Sequence, residues 1–262
     1  MASQHARLVY RMLRVQVMNE LQYRANFVMH LFHGVLGVGV GLAMIFLVFA
    51  RVPELDGWTR PQLLAVVGVF TMTGGLLRMF LRPNLMRLVT ELHDGSFDHT
   101  LTKPVDTQLL VSAREMVVWQ AADVLTGLGI TAWAVTLAGE PALTDVVLFV
   151  LALLLGVVIV YCFLLCLATT AFWFVRIDEM MELFDSVLHA GRWPMSVYPG
   201  WLRVGLTFVV PVAFSVTVPA EAITGRLSWL VLAGEAVLAG AFFALSRLFF
   251  TRALRHYTGA SA

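Results

Sequence analysis

The chain has 262 residues, of which 59% are hydrophobic and 13% charged, with a formal net charge of +1. A soluble domain is usually about a quarter charged, so this composition cannot clothe a globule in water and the bilayer is the expected solvent. The two cysteines, Cys162 and Cys166, sit inside the apolar run "VVIVYCFLLCLA" and read as small hydrophobes, not as a disulfide or a metal pair.

Residues 1–24 carry Arg7, Arg11 and Arg14 on one helical face and Leu8, Met12 and Val15 on another. That pattern predicts a basic amphipathic helix on the membrane surface, with lipid as its partner. It does not read as a cleavable signal peptide. A helix needs about 20 apolar residues to cross a bilayer, and six segments meet that need: 27–50, 61–81, 109–138, 146–175, 180–197 and 227–250. The fold class expected is all-α, a polytopic membrane protein in a single domain over 1–262. In the first segment Gly37 and Gly41 form a G-x-x-x-G, which marks close helix packing within one subunit or between two.

Between the second and third segments, 83–108, "NLMRLVTELHDG" reads as a short amphipathic helix with Leu85, Leu88 and Leu92 on one face. Gly95 falls where a C-cap glycine belongs, Pro104 breaks the chain again, and Asp106 or Thr107 is placed to cap the next helix. Further on, Ser112 and Glu115 have capping-box spacing. The stretch 204–218 is apolar but short, with Pro211 at its middle. It predicts a re-entrant segment before the last span, over 198–224. On this topology 13 of the 18 basic residues share the side of both termini, and Arg51, Arg60, Arg192, Arg203 and Arg226 lie opposite. The positive-inside rule then puts both termini and the 83–108 loop in the cytoplasm. Trp58, Trp193 and Trp201 fall at the outer interface, as an aromatic belt would.

The loop "HDGSFDHTLTKPVD" holds His93, Asp94, Asp98, His99 and the chain's one lysine, Lys103. The spacing matches no zinc pattern, and no metal is expected. A short helix with an apolar stripe, held between two spans, is instead a surface for a soluble partner. Within the spans, Asp123, Glu182, Asp185 and Glu235 are costly in lipid and are candidate pathway residues. For Glu182 and Asp185 the plainer reading is a solvated acidic helix start near Arg176.

Two stretches carry a resemblance. "DGSFDHTLTKPVD", with Gly95, Phe97, Asp98, Leu101, Lys103 and Pro104, resembles the loop after the second span in permease subunits of type 2 ATP-binding-cassette exporters. "GRWPMSVYPGWLRVGLTFVVPVAFSVTVPAEAITG" is similar to the Pro-rich segment after that family's fifth span, through Pro194, Tyr198, Pro199, Pro211 and Pro219. The resemblance implies a bacterial plasma-membrane protein. It makes Leu88, Glu91, Leu92, His93, Asp94, Gly95, Phe97, Asp98, Leu101 and Pro104 the coupling element for a separate nucleotide-binding subunit. It makes the Pro-rich segment an outer gate, and it implies a second permease subunit, identical or related. No G-x-x-x-x-G-K-[ST] occurs, so the chain has no P-loop. ATP and magnesium would be bound by the partner, this chain would hold no cofactor and be no enzyme itself, and nucleic acid is not a partner. The competing readings are an intramembrane enzyme, a self-contained secondary transporter and a membrane scaffold. The first lacks a G-x-S-x-G or H-E-x-x-H, and the second lacks a visible inverted repeat.

Overall fold

The structure is a computed structural model that describes residues 24–139, 141–174 and 177–257. Apart from Arg24, the surface helix expected over 1–24 lies outside them. The described chain is helical, and its one β feature is an isolated bridge between Leu55 and Trp58.

Helix α1 covers Arg24–Phe49. A turn with Asp56 and Gly57 in the left-handed region leads into α2, Arg60–Leu76. The start of α2 is set locally: the Thr59 N–H donates to Gln62 Oε1 at 3.0 Å, and Pro61 sits in the first turn, where its missing N–H costs nothing. From Leu63 to Val69 every residue of α2 is buried. A helix apolar all round belongs in the middle of a bundle, and α2 is packed by α1, α6 (Ala121–Ala138) and α10 (Val212–Ile223). Its contact with α6 is backbone against backbone. A Cβ on Gly127 would fall on the Met72 main chain and on the Gly68 carbonyl, so only glycine permits this approach. Gly41 of α1 packs on Val67 more loosely.

A second group is built on α7, Leu143–Thr169, which runs between α10 and α11 (Trp229–His256). The two groups are joined by a buried hydrogen bond from Thr73 Oγ1 to the Ser215 carbonyl, 2.8 Å long. Thr73→Val is expected to cost about 0.5–1.5 kcal/mol, the range of a buried interhelical bond. Thermal unfolding in detergent reads it, and an unchanged Tm would show that the joint contributes nothing.

Four described helices are long and apolar enough to cross a membrane: Arg60–His93, Val118–Ala138, Leu143–Phe172 and Trp229–His256. A fifth candidate is the bent pair Gly200–Val209 and Val212–Ile223, at 99°. This differs from the six spans expected. In α1 the apolar part among residues with described side chains is Gly34–Phe49. The 180–197 segment is not one helix. It forms α8, Ile177–Leu188, then 3-10 turns at His189–Arg192 and Met195–Val197 separated by Pro194. The third span begins at Val118, because the chain leaves helix at Ala113.

The largest difference lies after the second span. The short helix expected within the 83–108 loop is not a separate element. The chain passes from α2 through a π turn, Leu77–Leu81, into α3, Arg82–His93, as one 34-residue rod. Pro83 does not break it, since it occupies the first turn of α3, and the wider π turn absorbs the missing donor.

Candidate functional site

The end of the bundle holding α3 is a polar junction built around two residues. Asn84, 2% exposed, donates from Nδ2 to the carbonyls of Phe80 (2.6 Å) and Glu115 (2.7 Å). Its Oδ1 accepts the backbone N–H of Arg114 (2.7 Å) and of Glu115 (2.8 Å). One side chain thus satisfies the backbone that leaves helix at 113–115. Beside it Arg114 donates to Glu91 Oε1 at 2.7 Å and to Thr100 Oγ1 at 3.1 Å, while Thr100 donates to Glu91 Oε2 at 2.8 Å. Arg87 closes the ring, 3.0 Å from Glu91 and 2.6 Å from Glu115. Ser112 and Glu115 form no capping box: the Ser112 hydroxyl donates to the Gln108 carbonyl and lies 2.6 Å from the Tyr161 hydroxyl.

Beyond α3, Asp94 ends the helix and Gly95 turns the chain at φ +69°. Phe97 then drives inward and is 0% exposed. Its ring meets Phe172 and Tyr257 edge-on, at 5.8 and 5.5 Å, and Phe172 in turn meets Phe250 at 6.4 Å. The loop is therefore pinned to the ends of α7 and α11. Leu88 is buried and Glu91 and Leu92 half-buried, whereas His93, Asp94, His99, Leu101, Lys103 and Pro104 are exposed. Two short helices follow, α4 at Asp98–Leu101 and α5 at Thr107–Ser112. Asp106 caps α5 by accepting the Leu109 N–H at 3.1 Å, and it also pairs with Arg247 of α11. The Arg247 guanidinium holds the Asp106 carboxyl below the usual carboxylate range.

At the opposite end, Trp58 is 1% exposed and donates from Nε1 to Ser196 Oγ at 3.1 Å. It is a buried post, not part of a lipid-facing belt, while Trp201 is 77% exposed. Arg226 lies over the Trp58 ring and donates to the Gly57 carbonyl at 2.9 Å. The chain between Ser196 and Arg226 thus leaves from Trp58 and returns to it. Tyr198 donates to the Ala190 carbonyl (2.8 Å), and Pro199 precedes α9, Gly200–Val204. Arg203 wraps back onto the carbonyls of Met195, Ser196 and Tyr198. Pro211 stands at the 99° bend and the buried Pro219 lies within α10. At Gly156 of α7 a Cβ would strike the Phe214 carbonyl, so α10 seats directly on α7.

The four candidate pathway acids separate. Asp123 pairs with Arg78 at 2.8 Å and lines a cleft of about 300 Å³ between α1, α2, α6 and the 189–193 turn. Glu182 is exposed on α8, and Asp185 pairs with Arg82. Glu235 is 0% exposed on the α11 face that meets α7, with no hydrogen-bond partner for either oxygen among the described residues, and it does not line the cleft. The cleft's other polar side chains are Thr71, Arg78, Gln120, His189 and Arg192. Sequence reading passes over these because it uses arginines only to orient the spans, and because 189–193 lies inside a presumed continuous helix. Asn84 and Thr100 are missed for a similar reason: each is an ordinary polar residue until the fold brings Arg114 beside it.

Long apolar helices, a central rod and a polar junction at one end define a polytopic helical membrane protein. Residues 35–261 match the model of the ABC-2 family transporter protein, which is most of the chain, so this protein belongs to that family and is a membrane transport component. Such permeases work in general with an ATPase subunit. No curated protein matches the chain.

Proposed function

We propose that this chain is the permease subunit of an ATP-driven exporter in the bacterial plasma membrane. It forms the pathway with a second permease, identical or related, and is driven by a separate nucleotide-binding subunit that carries ATP and magnesium. Both termini and residues 83–108 face the cytoplasm, and α1 and the broken 177–197 segment complete six crossings. The 198–224 segment, tied at both ends to Trp58, is a re-entrant outer gate.

One observation carries the reading. The exposed residues from His93 to Pro104 are anchored by Phe97, and the helix that bears them continues without a break into α2. A force on the loop is therefore delivered along one rod to Arg78, which lines the cleft. Rigid helices move as units, and a packed interface switches between discrete arrangements. The test is purification from native membranes in mild detergent. The expected result is a co-purifying P-loop subunit whose ATPase activity the permease stimulates. Recovery of the chain alone, with no ATPase and no stimulation, would sink the proposal.

A further inference from the structure

The cleft has a charge imbalance. Arg78 folds back along its own helix: its guanidinium lies about 3.2 Å from where a Cβ on Gly74 would stand. Arg192 approaches from the 189–193 turn and rests over the Phe70 ring, 5.4 Å from its centroid. Phe70 and Gly74 are about one turn, about 6 Å, apart along α2, so the two guanidiniums stand at neighbouring levels of the same cleft. A single carboxylate, Asp123, faces them, and it is bonded to Arg78 at 2.8 Å. Arg192 has no carboxylate partner among the described residues. Asp185, the next acid on α8, is already engaged by Arg82. Thr71, Gln120 and His189 add neutral polar groups, and the rest of the wall is apolar and aromatic, with Val67, Phe70, Ile45 and Trp193 prominent.

An uncompensated guanidinium beside an aromatic wall selects one kind of ligand. A cation would meet Arg192 head-on. A neutral apolar molecule would leave it unsolvated. A carboxylate, sulfonate or phosphate would pair with it through two parallel hydrogen bonds, and an attached apolar body would cover Phe70 and Trp193. The geometry points to this cleft as a binding site for an anionic amphiphile, with Arg192 as the residue that recognises the anion. That such an amphiphile is the cargo rests on the exporter reading.

The probe is a pair of dyes with the same body, 1-anilinonaphthalene-8-sulfonate and the uncharged N-phenyl-1-naphthylamine. They are titrated onto the full chain in discs of zwitterionic lipid. The sulfonate is expected to bind saturably, and Arg192→Gln to weaken it about tenfold while leaving the uncharged dye unaffected. Asp123→Asn releases Arg78 and adds a second free positive charge, so it is expected to tighten sulfonate binding. A merely structural role for Asp123 would loosen both dyes together. Equal binding of the two dyes, or sulfonate binding indifferent to Arg192→Gln, overturns the assignment. Competition from phosphatidylglycerol in the disc identifies a lipid headgroup as the natural anion, and indifference to it identifies a free amphiphile. None of these readouts requires an ATPase. A chain that binds the sulfonate but recruits no nucleotide-binding subunit keeps the site and loses the transport reading.

Discussion

Arg114→Met is expected to destabilise the protein by about 3 kcal/mol, at the low end of the range for removing one partner of a buried ion pair. The side chains of Arg114 and Glu91 are only 7% and 13% exposed. With Arg114 gone, Glu91 keeps Arg87 at 3.0 Å and Thr100 at 2.8 Å. Those two contacts are why the loss falls at the low end. The pairing itself is a weak source of stability, since both ions are taken from water to make it. The double variant Glu91→Gln/Arg114→Met is therefore expected to recover much of the loss, because no buried charge is then left alone. Thermal unfolding of the four members of the cycle measures this. A single variant with wild-type stability, or a double variant worse than the single, would mean that the junction is not held by this pair.

What sequence reading reaches here is set by range. Four of the long apolar runs, the Gly95 stop and the Asp106 cap depend on neighbours within a few residues, and these appear. The separation of α3 from the second span does not. The stretch 83–108 reads as a loop between two spans, but Pro83 is tolerated in the first turn of α3, and the π turn before it leaves the axis continuous. The 180–197 segment fails for the opposite reason. Its composition suits a helix, yet His189–Arg192 tightens to a 3-10 turn and Pro194 ends it. The chain is steered there by Trp58, which lies 138 residues away from Ser196 in sequence.

The site divides in the same way. Asp123 is legible as an acid inside an apolar helix. That Arg78 neutralises it while Arg192 has no carboxylate partner among the described residues depends on distant elements meeting, and no spacing encodes that. Phe97 is legible as part of a motif but not as a buried anchor, because its partners Phe172 and Tyr257 are supplied by two distant helix ends.

That burial separates two roles within one loop. Phe97→Ala removes a fully buried ring from an aromatic nest and is expected to cost about 3–5 kcal/mol. Its loss frees the 95–101 turn from α7 and α11, so stimulation of the ATPase partner should fall together with the melting temperature. Phe97→Leu, which refills part of the space, should restore much of both. Leu101 stands on the other face and is 40% exposed. Leu101→Asp removes no internal contact of comparable size, and its effect on stability is expected within about 0.5 kcal/mol. On the exporter reading proposed above, it places a charge on the surface offered to the partner. It should therefore abolish stimulation and co-purification at an unchanged melting temperature. If Leu101→Asp retains full stimulation, the exposed face is not the docking surface. If Phe97→Ala melts like the wild type, the nest does not hold the loop, and the route from loop to rod through Phe97 is lost.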